Sequence, residues 1–171
     1  MTGVQTCALP ICFPVTIETL ADRLREVLLD GYWIANTNYK KQIQSVTWEE
    51  ATQKIGTLNT IAALTFHINY YLDGLLNAFE KGKLEISDKY SFDYPPIQTA
   101  SDWNQMVTEF LNNAEKFVAT VAQMDDAILD EPFIDEKYGT FLRNIEGVIE
   151  HSYYHLGQVS LINKMIQESK N

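Results

Sequence analysis

The three histidines of this 171-residue chain have types and spacings that could hold a metal ion. His151 and His155 are four residues apart in a segment of helical periodicity, so their rings project from one helix face about one turn apart. His67 flanks the inner stripe of another such segment, one turn from Leu64 and Tyr71. A ring projected from a facing helix would complete three corners of a tetrahedron and leave further positions open for water or substrate.

An alternative interpretation of these histidines is simple packing. A single histidine on an apolar helix face is often a core residue, and a pair four residues apart does not by itself distinguish packing from ligation. Metal binding is favoured because all three histidines of the chain belong to one set. We expect one divalent ion (Zn, Ni, Fe or Co), since a site of three neutral imidazoles accepts several metals.

Four long helices are predicted to position these side chains. They run from Thr16 or Thr19 to about Lys41, from about Asn59 to Lys81, from Ser101 or Asp102 to Asp125, and from Thr140 to about Glu168. Thr47-Trp48-Glu49-Glu50 predicts a capping box and a short helical turn between the first two. Residues 83–100, with Pro95-Pro96, and residues 127–139 are predicted to be long connections. The expected fold is therefore an all-α four-helix bundle with long crossover loops.

Composition and charge exclude several classes of function. Apolar residues make up 46% and charged residues 21% of the chain, as in an ordinary globular domain. The formal charge of -10 repels phosphate backbones and anionic lipid, so neither nucleic acid nor a membrane is an expected partner. No apolar run approaches the ~20 residues that a membrane-spanning helix needs. We expect a single domain over residues 16–171, located in the cytoplasm.

Residues 1–15 are expected to be a leader outside that domain. The first eleven residues lack the basic region of a signal peptide and resemble a translated sequencing adapter fused in frame. The alternative is a short, natural, disordered tail. On either interpretation Cys7 and Cys12 fall outside the expected site, and the rest of the chain contains no cysteine, as is typical of a reducing cytosol.

Two motifs around the histidines resemble the DinB/YfiT-like superfamily. They are His-Ser-Tyr-Tyr-His-Leu-Gly-Gln, which begins at His151, and Leu-Thr-Phe-His-Ile-Asn-Tyr-Tyr, which surrounds His67. The Gly-Tyr-Trp at residues 31–33 and the capping box occur in the same order as in that family. The resemblance implies a four-helix bundle whose metal ligands are His67, His151 and His155, with homodimers common among members.

The same resemblance implies an activity only broadly. Relatives include S-transferases that use low-molecular-weight thiols and enzymes that isomerise or hydrolyse small molecules. The expected function is therefore that of a metal-dependent transferase or hydrolase acting on a small thiol or electrophile. The alternative is a non-catalytic metal-binding stress-response protein, or a helical interaction domain.

Four further residues are predicted to line the pocket or to support the ligands. Tyr71 follows the histidine of the second predicted helix by one turn, and Trp33 is placed in the first predicted helix. Tyr154 and Gln158 lie near the histidine pair and could orient ligands or substrate. For each of them the alternative role is core packing or an exposed side chain. Gly157 is interpreted as a point of close packing against a neighbouring helix.

Overall fold

The computed structural model describes residues 14–170, and that part of the chain is all-helical. Its helices are α1 (Ile17–Arg25), α2 (Tyr39–Gln44), α3 (Trp48–Thr52), α4 (Ile61–Lys81), α5 (Ala100–Ala122) and α6 (Phe141–Glu168). A π-helical turn, Glu26–Asp30, extends α1, and single 3-10 turns occur at Asp88–Tyr90, Asp126–Asp130 and Glu136–Tyr138. The all-α fold class predicted from the sequence is confirmed.

The two helices that carry the histidines begin and end close to where the sequence predicts. Thr60 caps α4 by accepting from the amide of Ala63, and Gly82 ends it in the left-handed conformation with φ 68°. Thr140 caps α6 in the same way, its hydroxyl accepting from the amide of Arg143. These boundaries depend on local chemistry, which is why the sequence alone locates them.

The start of α5 differs from the prediction. Thr99, and neither Ser101 nor Asp102, is the N-cap. Its hydroxyl accepts from the amide of Asp102 at 3.2 Å, and the Asp102 carboxylate accepts from the amide of Thr99 at 2.9 Å. This reciprocal pair is a capping box with aspartate as the acid, and it satisfies two amides that would otherwise lack partners.

The first predicted helix is too long. The π-helical turn ends at Asp30, Gly31 is extended (φ -87°, ψ 160°), and Asn36 is left-handed with φ 52°. Asn38 then closes the loop, because its amide donates to the carbonyl of Gly31 and its side-chain oxygen accepts from the amide of Lys41. The helix therefore breaks after Asp30, and α2 starts anew from the Asn38 cap.

The long helices pack in a closed order, with α4 against α5 and α6, and α1 against α5 and α6. Helices α4 and α5 run in the same direction. Asn113 donates to Asn69 at 3.0 Å, and further along both helices Phe79 packs on Phe117 with ring centroids 5.7 Å apart. Neighbouring parallel helices cannot be joined by a tight turn, so the connection has to return along the bundle.

Residues 83–99, which we call the crossover segment, make that return along α4. Ile86 packs over Gly74, where an added Cβ would overlap the Ile86 side chain. Farther along, the hydroxyl of Tyr94 lies 3.5 Å from that of Thr60, the N-cap of α4. The segment thus runs antiparallel to α4 and passes over its middle, where His67 lies. The sequence predicts a long connection here and does not indicate its course over α4.

Within the described residues, no helix is long and apolar enough to cross a membrane. The adapter-like residues 1–11 lie outside the described part of the chain. The division between a leader over residues 1–15 and a domain over residues 16–171 therefore stays a prediction.

Candidate metal centre

The packing of α4 against α6 brings the three histidines into one cluster. One ring nitrogen from each of His67, His151 and His155 lies within 4.8 Å of the other two. The Nε2 atoms of His67 and His151 are 3.1 Å apart. The three ring centroids are separated by 4.6 to 5.0 Å, and each pair of rings meets edge to face. The set predicted from the sequence is thus a single cluster in space.

His67 is oriented by the crossover segment. Its Nδ1 lies 3.3 Å from the carbonyl oxygen of Ser91, and Phe92 stacks on its ring at a centroid distance of 4.2 Å. Because a carbonyl oxygen only accepts, Nδ1 carries the proton in this contact and Nε2 presents its lone pair. That lone pair points toward the other two histidines, as a metal ligand requires.

His155 is oriented from within its own helix. Its Nδ1 lies 2.8 Å from the side-chain oxygen Oε1 of Gln158, one turn later on α6. The same argument leaves Nε2 of His155 unprotonated and available for ligation. The structure therefore places Gln158 against a candidate ligand, while its contribution to function stays a prediction.

Burial keeps all three imidazoles neutral near pH 7. It is the largest cause of the lowered pKa of His67 and of His155. For His151, burial and then the neighbouring His155 and His67 lower the pKa to about 4. Since only the unprotonated ring binds a metal, the cluster does not have to release protons from imidazolium groups at neutral pH.

The geometry of the cluster fits a divalent ion. Tetrahedral coordination with Zn–N distances of about 2.0–2.1 Å places ligand nitrogens about 3.3 Å apart. The 3.1 Å between Nε2 of His67 and Nε2 of His151 is close to that value. The three ring nitrogens lie within 4.8 Å of one another, so tetrahedral coordination would require a ring to move inward by rotation about its side-chain bonds. Two ring nitrogens in such proximity need either a shared proton or a cation between them.

Tyr71 forms one wall of the cluster. Its ring meets His67 and His151 edge to face at centroid distances of 5.1 and 5.2 Å. Its hydroxyl donates to Asp88 Oδ1 at 2.8 Å. Burial, followed by this hydrogen bond to Asp88, raises the pKa of Tyr71 to about 12, so the phenol stays protonated and neutral at physiological pH.

The other two predicted pocket residues lie at the surface. Trp33 belongs to the loop between Asp30 and α2 and not to a helix, and its side chain is 89% exposed. Tyr154 is 65% exposed, although its ring packs edge-on against His155 at 4.8 Å. Their roles in a pocket stay predictions.

The interpretation of Gly157 as a close-packing position is wrong. A Cβ added at Gly157 would meet no atom within 4 Å, and the residue is exposed on α6. On α4, by contrast, Gly74 is buried and is the glycine over which another segment packs closely.

Sequence reasoning did not find Ser91 and Phe92, which contact His67 from the crossover segment, or Asp88, which accepts from Tyr71 beside the cluster. They have no helical spacing relative to the histidines, and a polar connection between helices contains no signal of which side chains face a site. Only the parallel direction of α4 and α5, which returns this segment over His67, brings them there.

The comparison with known families agrees with the geometry of the site. A family model described as the DinB superfamily matches residues 36–159, a range that includes all three histidines and most of the chain. The chain therefore belongs to the DinB superfamily. Neither the curated proteins nor the solved structures yield a match to this chain.

Proposed function

We propose that this DinB-superfamily protein is a four-helix bundle that holds one divalent metal ion through His67, His151 and His155. The closed packing order of α1, α5, α4 and α6 supports the bundle. The cluster of three neutral imidazoles, two of them with Nδ1 against an acceptor, is the observation that supports the ion.

We further propose that the site catalyses transfer or hydrolysis on a small thiol or electrophile in the cytoplasm, with no nucleic acid or membrane as partner and with a homodimer as the working form. When bound, the ion would supply the positive charge that lowers the pKa of a thiol or water at an open position. The open groove beside His151 supports access for a small molecule.

The residues of the chain have separate tasks in this proposal. Ser91 and Gln158 hold two ligand rings in the tautomer that presents Nε2. Phe92 and Tyr71 cover faces and edges of the rings and exclude water from them. Asp88, at the mouth beside Tyr71, presents a carboxylate that can accept a proton from an incoming substrate.

Metal content is the test of the metal site. The full chain, with Cys7→Ser and Cys12→Ser to remove adventitious thiol ligands, should retain about one metal ion per chain by mass spectrometry. His67→Ala and His151→Ala in the same background should each lose it while the far-UV circular dichroism stays helical. Failure of the parent protein to bind Zn(II) or Ni(II) on titration would contradict the proposal.

Turnover separates the enzyme from the non-catalytic alternative. The metal-loaded protein should accelerate the reaction of cysteine with an aryl halide, and chelation of the metal should abolish the acceleration. A stoichiometric metal with no acceleration over a panel of thiols and esters would instead favour a metal-binding protein without catalysis.

A further inference from the structure

An open groove of about 620 Å³ runs beside the cluster between α4, the crossover segment and α6. Its lining combines an imidazole, apolar side chains and a guanidinium. On α6, His151 and Arg143 line it about two turns apart, with Gly147 and Val148 between them, and apolar Leu75 and Leu84 line the same groove. A candidate metal ligand, an apolar lining and a cation together describe a site for an extended, amphipathic small molecule.

Gly147 forms the floor of this groove on α6, one turn from both His151 and Arg143. A Cβ added there would meet no atom within 4 Å, and its φ is not in the left-handed region. Neither close packing nor backbone conformation therefore requires glycine, which costs about 1 kcal/mol relative to alanine inside a helix. The open volume above it is the remaining structural reason, because a larger side chain would project into the groove.

Arg143 is the one cationic residue among the described residues that line the groove. One of its nitrogens donates to Glu150 at 2.9 Å, no other hydrogen bond of the guanidinium occurs among the described residues, and the charge of Glu146 also attracts it. Both side chains of this pair are exposed, so the pair contributes little stability and does not prevent another acceptor from binding. Glu150 lies seven residues after Arg143, so the contact extends the guanidinium along α6 in the direction of His151.

We propose that this groove binds thiol carboxylic acids, with the thiol at the His151 end and the carboxylate on the guanidinium of Arg143. This inference rests on the proposed metal-dependent function. The two residues are eight positions apart on α6, about 12 Å along the helix axis, which suits an alkyl chain of intermediate length lying over Gly147. In a chain of formal charge -10, an anion needs such a local cation to bind.

The test uses the full chain loaded with Co(II), whose absorption spectrum gains a charge-transfer band when a thiolate binds. The probes are mercaptohexanoate and mercaptohexanol, which differ in the carboxylate. We expect the carboxylate probe to bind about tenfold more tightly, in line with an exposed charge-assisted hydrogen bond. Arg143→Gln should reduce the affinity for mercaptohexanoate to that for mercaptohexanol, whereas Glu150→Gln should increase it.

Two further variants control for charge and shape. Lys164→Gln removes a positive charge from the same helix, far from the groove, and should leave the preference for mercaptohexanoate intact. Gly147→Leu should weaken both probes about tenfold or more by filling the groove, with the Co(II) content unchanged, while Gly147→Ala should have a smaller effect.

The outcomes distinguish this inference from the proposed function. Equal affinities for the two probes would overturn the inference and leave the metal site in place. A preference that survives Arg143→Gln would also overturn it, since the carboxylate would then bind elsewhere. A Co(II)-loaded protein that gives no thiolate band with either probe would also overturn the inference, whereas failure of the parent protein to bind Co(II) would contradict the proposed metal site itself.

Discussion

At the scale of residues, the site depends on what holds the second nitrogen of each ligand. Ser91 and Gln158 accept from Nδ1 of His67 and His155, which fixes the tautomer of both rings. No comparable hydrogen bond holds Nδ1 of His151 within the described chain, and packing against Tyr71 orients that ring. His151, which also lines the groove, is therefore the candidate ligand with the greatest freedom to adjust its position.

Replacing Gln158 tests the importance of this support. Gln158→Leu removes the acceptor for Nδ1 of His155, so we expect the affinity for Zn(II) to fall about tenfold to a hundredfold, as is usual when such a partner is lost. Gln158→Glu keeps an acceptor oxygen and serves as the matched control. Competition with a chromophoric chelator measures both affinities. Equal affinities of the leucine variant and the parent protein would contradict the supporting role.

The lowered pKa of His151 predicts how stability depends on pH. Burial lowers this pKa from 6.5 to about 4, so between these values the unfolded chain binds a proton that the folded chain does not. The free energy of unfolding of the metal-free protein should therefore decrease as the pH falls through this window. His67 and His155 contribute in the same direction, because their pKa values are also lowered.

Urea unfolding across that window, with a chelator present, measures the effect. His151→Asn should give a shallower dependence on pH than the parent protein. The carboxylate of Glu50 affects the free energy of unfolding only at lower pH, because its hydrogen bond with Lys170 lowers its pKa from 4.5 to about 2. Its stabilising contribution is therefore lost only as the pH falls from about 4.5 toward about 2. Parallel curves for the asparagine variant and the parent protein would contradict the assignment to His151.

At the scale of elements, the crossover segment links the fold to the site. It packs over Gly74 through Ile86, and then supplies the Ser91 carbonyl and the Phe92 ring to His67. The position of the segment on α4 thus determines how His67, one candidate metal ligand, is held. A change in the packing of Ile86 should therefore affect metal binding although Ile86 does not contact the cluster directly.

A pair of glycine substitutions tests this link. Gly74→Leu forces a side chain against Ile86 and should destabilise the protein by about 1–3 kcal/mol while weakening metal binding. Gly157→Ala, at an open position of α6, should stabilise the protein by up to about 1 kcal/mol through helix propensity and leave metal binding unchanged. Chemical denaturation and metal titration report both effects. Unchanged metal affinity in Gly74→Leu would show that the crossover segment does not support the site.

At the scale of the whole molecule, the candidate ligands connect two long helices that are distant in sequence. A bound ion would link α4 to α6 and would be present only in the folded state. Since a ligand that binds only the folded state stabilises it, Zn(II) at about 100 times its Kd should add about 2.7 kcal/mol to the free energy of unfolding.

Thermal unfolding with and without Zn(II) checks this prediction. The Tm of the parent protein should rise by several degrees and return to its starting value on addition of a chelator, whereas the Tm of His67→Ala should not respond. An equal rise in the variant would indicate that the ion acts outside the three-histidine cluster.

Local features of the sequence were sufficient to predict much of the helical structure and to select the three histidines that cluster in space. Thr60, Gly82 and Thr140 set the ends of the histidine-bearing helices because capping depends on neighbours a few residues away. The spacing of His151 and His155 places both rings on one face for the same local reason. The sequence interpretation was wrong at the break after Asp30, because the apolar spacing continues through Ile34 and outweighed the local signals of Gly31 and of the Asn38 cap.

The direction in which the helices pack was decided only by the tertiary structure. Parallel packing of α4 and α5 returns the crossover segment over His67 and so supplies Ser91 and Phe92, and packing of α6 against α4 opens the groove between His151 and Arg143. These contacts join residues far apart in the chain, and they result from burial of whole helix faces. The sequence alone could therefore select the three candidate metal ligands, while the groups that orient them and the groove that would receive a substrate depend on long-range packing.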